Sequence, residues 1–593
     1  MLQQTRTRGS LIAHSPQRKI VLRANIFGII TKHGWPSFFV TLNPNDLYSP
    51  IQHLRLQEND EDYNTLFQIL SNNGRLQAPK VFNENPVQCA KYFNAVVEIV
   101  LKHVFGWDCD NESYKKSMFG IVKAHFGVVE QQQRKQLHLH MLVWVEGLTD
   151  YEIFKEKMTD YHFKRNILEY LNRIIRCSLD NPDDLMEHDI DARNYICPTL
   201  KNEEDFQEHY NAQLDWIQKY AQLHQCSRYH CLKRGRHCRY KFPKAAVGLT
   251  EYNQNQNTIL MKRNNPFLNN CIPPIAVIGR FNTDIQFLPG NGDPRIARYI
   301  AYYCSNYTSK EEASNIHLLH FMNQKLKDIQ EYQPDVLSSD RRLFGSLLMK
   351  TVQKFSSAND VGAVEAASTL LGFSDHYTNF KFRTIDWKNW DLWICHQLGE
   401  AYAMHSYHFN RYTENSYCSV LQKSLYPTDT RPITTSHEAM DMKQKYLQRN
   451  NELEKYSIYE MESLFQFKLY STESMPFNFY PLRGEKMVET ELVKGHEELQ
   501  IPSVPSLPWF NPKSKTHGVG TEAFARIMCL LFRRFRNAID LFDRRRQTFM
   551  ETYEEWKRNL NPKSHIYIYI IWKKMASLQE RPLLNLSESN VKT

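Results

Sequence analysis

The stretch QLHLHMLVWV, residues 136–145, decides how this chain is read. It places histidine at every second position and then runs into apolar text, the pattern of a buried β-strand. On a strand, residues two apart share a face, so His138 and His140 project together while Leu139 faces the other way. Two imidazoles aimed alike form a bidentate site for a divalent metal; the plainer alternative is two histidines satisfied within a sheet. Glu130 favours the metal. If QQQRKQ (131–136) closes a tight turn near Arg134, antiparallel pairing sets Glu130 across from His138 and within reach of the same ion. Two neutral imidazoles and one carboxylate with open positions suit Mg or Mn acting on a phosphate.

The flanking text fits an α+β layer fold around an antiparallel sheet. SFFVTLNP (37–44) reads as a strand ending in a turn, PVQCAKYFNAVVEIVLKHVFG (86–106) has helical apolar spacing, and SMFGIVKAHFGVVEQQQ (117–133) is β-rich. Residues 151–220 read as a charged helical insertion. Residues 246–290 read as β-rich again, most clearly in PPIAVIGRFNTDIQFLPG. Helical text resumes near Pro294 and again over 340–375, the region 376–500 is mixed and helical, and the proline-punctuated 501–520 reads as a linker or long surface loop ahead of a helical C-terminal region. The expected division is therefore 1–150 and 246–375 as two halves of one core, 151–220 as an insertion, 221–245 as a Cys/His segment, then 376–500 and 501–593.

Composition sets outer bounds. With 593 residues, 42% hydrophobic and 13% aromatic, the chain has ample material for a core, and Lys plus Arg exceed Asp plus Glu by 74 to 65, a mildly basic balance compatible with a polyanion. The first residues are polar throughout, so no signal peptide is expected, and no apolar run reaches the roughly 20 residues of a membrane span. Twelve cysteines, scattered singly apart from one cluster, favour a reducing compartment.

Two further groups carry chemistry. In YIAYYCSNYTSK (299–310), Tyr299, Tyr303 and Tyr307 recur every four residues and Lys310 follows, which stacks phenols on one helix face beside a cation. Such a stripe is ordinarily packing, but tyrosine is also a covalent nucleophile. In LHQCSRYHCLKRGRHCRYKFPK (223–244), soft thiolates and imidazoles are dense enough for tetrahedral zinc. Arg228, Lys233, Arg234, Arg236, Arg239 and Lys241 interleave there with Tyr229, Tyr240 and Phe242, a mixture suited to single-stranded DNA as well as to a solvated charged loop. The arginine-rich LFRRFRNAIDLFDRRRQ (531–547) reads as a helix whose Phe and Leu residues pack and whose arginines face solvent.

FFVTLNP (38–44), Glu130 with seven residues between it and HLH, and Y-x3-Y-x2-K at Tyr303, Tyr307 and Lys310 stand in the order of the motifs of Helitron transposases, rolling-circle transposon proteins with a Rep-type HUH nuclease. The chain resembles that family most over 30–375. Segments 264–286, 360–373 and 525–541 resemble the stretches leading towards its helicase. The resemblance implies an antiparallel-sheet HUH core with helical insertions, a zinc knuckle and a nuclear protein that nicks single-stranded DNA at transposon ends. It implies that His138 and His140 hold the metal with Glu130 as third ligand. It further implies that Tyr303 and Tyr307 form 5′-phosphotyrosine and transfer the strand, with Lys310 beside them and Tyr299 and Tyr302 structural. The knuckle implies His224, Cys226, Cys231 and Cys238 on zinc, with Cys226 where the family has histidine. The alternative is a catalytically inactive transposon-derived protein that binds single-stranded DNA. A hydrolytic nuclease that uses the metal without a covalent step is a third reading. Two departures are visible: Lys135 follows Arg134 where the family has glycine, and Leu137 stands in place of a proline. The chain has no G-x4-G-K-[ST] loop, so no ATPase or helicase activity is expected of it, and a helicase on a separate chain is a possible partner.

Overall fold

The computed structural model describes residues 16–44, 85–131, 136–180, 203–226, 231–232, 237–238, 240–289, 362–385, 387, 390–391, 393–394, 446–447, 449, 452–464, 501–504, 519–541, 548–560 and 572. Its contacts divide the chain into two compact units, one of residues 1–20, 33–379 and 586–593 and one of residues 21–32 and 380–585.

The first unit is built on strands β1 (Phe38–Asn43), β2 (Val122–Gln131), β3 (Leu137–Val145), β4 (Asn282–Phe287) and β5 (His376–Thr378). They form one five-stranded sheet in the order β4-β1-β3-β2-β5, and every neighbouring pair is antiparallel. The α+β architecture and antiparallel sheet expected from the sequence are present. β3, with the two histidines, is the central strand.

Register partners share a face of a sheet, and here the two faces differ in chemistry. Phe38, Val40 and Leu42 of β1, Leu137, Leu139, Met141, Val143 and Val145 of β3, and Ile285 and Phe287 of β4 all belong to one buried apolar core. Helix α1 (Pro86–His103) adds Cys89, Phe93, Val97, Val100 and Leu101 to it. That i, i+4 spacing is one helix stripe, and each such Leu, Val or Phe contributes about 1.5–3 kcal/mol by burial. Pro86 starts α1, where its missing N–H is not needed, and Lys102 and His103 complement the dipole of its last turn. Gly106, at φ +78, turns the chain after α1; a Cβ there would collide with the carbonyl oxygen of Lys115. Gly127 of β2 leaves room for Leu139, whose Cδ1 would lie 2.8 Å from an added Cβ.

Within 151–220 the described residues include helices, as expected: Tyr151–Lys157 is capped by the Asp150 carboxylate, Tyr161–Ile174 by that of Asp160, and Glu203–Ile217 lies further along the chain. Three expectations need correction. PPIAVIG is helix Pro273–Gly279 and not strand, because Pro273 and Pro274 occupy the first helical turn and Arg280 ends it in the left-handed conformation; the strand begins only at Asn282. Ile501–Ser503 is a strand paired in parallel with Phe382–Thr384, not linker. The arginine-rich stretch is not one helix: helix Val519–Phe532 stops, and a short helix Ala538–Leu541 follows after the Asp540 carboxylate has accepted the backbone N–H groups of Arg536 and Asn537.

The second unit has its own core, in which Phe524, Ile527, Met528 and Leu531 of helix Val519–Phe532 pack with Trp390, Tyr446, Tyr459, Phe549 and Tyr553. Phe532, Phe535 and Leu541 are buried there too, while Arg533 and Arg536 donate to carbonyl oxygens of Leu541 and Leu447, so the packing reading of that stretch holds for its described residues. Arg526 pairs with Asp391 and Arg383 with the buried Glu462.

Candidate metal centres

On the face of the sheet opposite the apolar core, a transverse row crosses all five strands: Asp284, Thr41, His140, Val128 and His376 are successive register partners. Glu130 and His138 pair in the adjacent row, which is the register expected from the sequence. Both histidines are buried, His138 at 1% and His140 at 8% exposure, so any charge delivered to them acts in a low-dielectric setting. Nε2 of His140 lies 3.0 Å from Oε2 of Glu130, and its Nδ1 lies 3.0 Å from the Thr41 hydroxyl oxygen. The Phe39 ring stacks on the imidazole, 5.8 Å between centroids and 10° between planes. His140 is therefore held in plane by Phe39 and at both nitrogens by neighbours on β1 and β2.

At the β5 end of the row, the carboxylate of Asp375 accepts Nε and Nη2 of Arg18 at 3.2 and 3.4 Å and meets Nδ1 of His376 at 2.7 Å. Burial raises the Asp375 carboxyl, but the His376 and Arg18 contacts outweigh it and hold the group well below the usual carboxylate range.

The second centre is His224, Cys226, Cys231 and Cys238, whose ligand atoms all lie within 4.8 Å of one another. A tetrahedron with Zn–S of about 2.3 Å separates its sulfurs by roughly 3.8 Å, so three thiols and one imidazole at this spacing fit a metal such as zinc. Local structure gathers them from two chain segments. The backbone N–H of His224 donates to the Phe267 carbonyl, and Lys241, at φ 60, donates its N–H to the Cys238 carbonyl to close a tight turn. Nε2 of His224 lies 3.3 Å from Sγ of Cys238. Phe242 stacks on the His224 ring with centroids 4.3 Å apart, and Nζ of Lys244 sits 4.7 Å above the Phe242 ring. Burial, reinforced by the Lys244 charge, lowers the His224 pKa and so favours the neutral imidazole that ligates. Burial opposes the Cys238 thiolate, yet backbone N–H groups of Phe242 and Tyr240 and the neighbouring thiols outweigh it and lower the thiol pKa. Desolvation, with hydrogen bonds that the Cys226 thiol donates to Cys238 and Cys231, pushes the Cys226 thiol up to about 11.

Each residue of the expected zinc set is thus in one cluster, and His138, His140 and Glu130 share one face. Tyr303, Tyr307 and Lys310 lie outside the described residues, as do Arg228, Lys233, Arg234, Arg236 and Arg239; Lys241 is exposed beside Phe242. The sequence reading gave no role to Thr41, Asp284, Asp375 or His376. Period-two alternation sets Thr41 on one face of β1 with Phe39, but which strand lies beside it is a matter of topology.

Residues 1–143 match the family model described as the Helitron helicase-like domain at the N-terminus. The match spans β1, β2 and most of β3, including Glu130, His138 and His140, and ends before the Cys/His cluster. Over those residues the chain is similar to Helitron proteins. The search of curated proteins finds no match.

Proposed function

We propose that this Helitron-related chain is an HUH-type nuclease and strand transferase that cuts single-stranded DNA by forming a 5′-phosphotyrosine, as in rolling-circle transposition, and that transposon ends are its substrate. The observation that carries the reading is the junction of His140 and Glu130 at 3.0 Å beside His138 on one face of the central sheet. Two imidazoles and a carboxylate are the donor set for Mg or Mn, and His138, His140 and Glu130 would hold the ion. When bound, the ion would supply charge to polarise the scissile phosphate.

The chain's own residues do the rest. The core behind β3 fixes the two imidazoles to a rigid strand, and Phe39 and Thr41 keep the His140 ring from swinging. In the proposed step the oxygen of Tyr303 or Tyr307 attacks phosphorus, the P–O3′ bond breaks, and the phenolic proton leaves with the freed 3′ oxygen by way of solvent. Lys310, three residues after Tyr307, provides a cation for the developing charge. The basic and aromatic residues around the zinc cluster, Lys241 and Tyr240 among them, are a track for the strand.

The test is incubation of the full chain with a single-stranded oligonucleotide and Mn. A covalent protein–DNA adduct that survives denaturant and disappears when Tyr303 and Tyr307 are both changed to Phe supports the reading. Absence of any adduct, or cleavage that persists in the double variant, refutes it.

A further inference from the structure

His140 is bound at both ring nitrogens, and the two partners differ in kind. Glu130 offers Nε2 a carboxylate oxygen, which only accepts, so in a neutral ring Nε2 carries the hydrogen and Nδ1 accepts from the Thr41 hydroxyl, 3.0 Å away. Ligation through Nε2, the nitrogen that faces Glu130, demands the reverse. Nε2 must then be bare, Nδ1 must carry the hydrogen, and whatever faces Nδ1 must accept.

We infer that Thr41 is the positioning residue of the metal centre: its hydroxyl donates to Nδ1 of His140 in the metal-free protein and turns to accept from it when Nε2 ligates, so that one side chain satisfies both tautomers. The inference rests on the metal-centre reading above. In the exchange one hydrogen leaves Nε2 to solvent and one joins Nδ1, and Glu130 is released from its hydrogen bond to serve as a ligand. A hydroxyl suits the position because it is donor and acceptor at once and turns by rotation about a single bond. A carbonyl would only accept and an ammonium would only donate, each favouring one state. Thr41 itself is anchored: it lies in β1 between register partners His140 on β3 and Asp284 on β4, so the sheet presents its oxygen to Nδ1 at a fixed height. Phe39, two residues away on the same face, stops the ring from rotating out of this contact.

The experiment uses zinc-loaded full-length protein in three forms: wild type, Thr41→Val and Thr41→Ser. Mn uptake is followed by electron paramagnetic resonance, and the His140 tautomer by nitrogen NMR of histidine-labelled protein with the His140 signal identified from its absence in His140→Gln. Valine keeps the shape and removes the hydroxyl, so Mn affinity falls about 10–100-fold, while serine stays within about threefold of wild type. The wild-type ring carries its hydrogen on Nε2 without metal and on Nδ1 with saturating Mg. Equal Mn affinity in wild type and Thr41→Val, or one tautomer in both conditions, overturns the role of Thr41 and leaves the metal centre standing. Mn uptake by wild type that is unchanged in His138→Ala overturns the metal centre itself.

Discussion

Glu130 pairs with His138 in the strand ladder, yet its carboxylate reaches diagonally to Nε2 of His140 at 3.0 Å. One acidic residue is therefore the register partner of the first histidine and the hydrogen-bond partner of the second. Replacing Glu130 with Gln keeps the shape and removes the charge. Mn affinity is expected to fall by about tenfold or more, with thermal stability little changed; an unaltered Mn titration would remove Glu130 from the ligand set.

The Cys/His cluster makes a separate prediction. Purified protein should carry about one zinc per chain by elemental analysis, and Cys231→Ser or Cys238→Ser should lose it. Because the metal-free Cys226 thiol is pushed up to about 11, zinc uptake must displace a proton there. Apparent zinc affinity should accordingly rise with pH and fall on acidification. An affinity that does not vary between pH 6 and 8 would mean that Cys226 is not a ligand.

His125 lies in β2, fully buried, beside the Trp107 ring and the Tyr114 hydroxyl. Burial lowers its pKa to about 3, whereas the unfolded chain titrates near the ordinary value of about 6.5. As pH falls below about 6.5 the unfolded state gains a proton that the folded state refuses. Stability should then decline by up to about 1.4 kcal/mol per pH unit until about pH 3. Urea unfolding followed by tryptophan fluorescence reads this slope, and His125→Gln should flatten it.

Leu139 sits between the two histidines in sequence but on the opposite side of the sheet, fully buried in the apolar core. Leu139→Ala should cost about 2–5 kcal/mol of stability. Below its melting temperature the variant should still bind Mn with near wild-type affinity. A large loss of affinity in the folded variant would show that the two faces are not independent.

How far the sequence could be read is clearest at these same residues. The His138–Leu139–His140 alternation and the distance back to Glu130 carried the strand pairing, because a tight antiparallel connection leaves little freedom of register. Ligand chemistry marked the Cys/His segment as a metal candidate, and the resemblance to the family's knuckle chose His224, Cys226, Cys231 and Cys238 among its cysteines and histidines, the four that lie together. Thr41 and Asp284 were out of reach, since they join the site through strand neighbours more than ninety positions away in the chain. PPIAVIG misled because a short apolar run has no period, and only the proline pair at its start separates helix from strand. Ile501–Ser503 misled for the opposite reason: Pro502, which reads as punctuation, sits in a sheet edge where a missing N–H is tolerated.

The spatial order β4-β1-β3-β2-β5 also has a temporal side. Ribosomes deliver the three middle strands first, and both flanks come from much later codons. Phe287 is made about 140 residues after Val145 and Thr378 about 230, which at roughly 5–20 residues per second leaves the outer edge of β1 unflanked for about 7–28 s and that of β2 for about 12–46 s. Until its flanking strand arrives, each outer edge presents an open amide ladder to any passing strand. Slower translation lengthens the exposure of both edges.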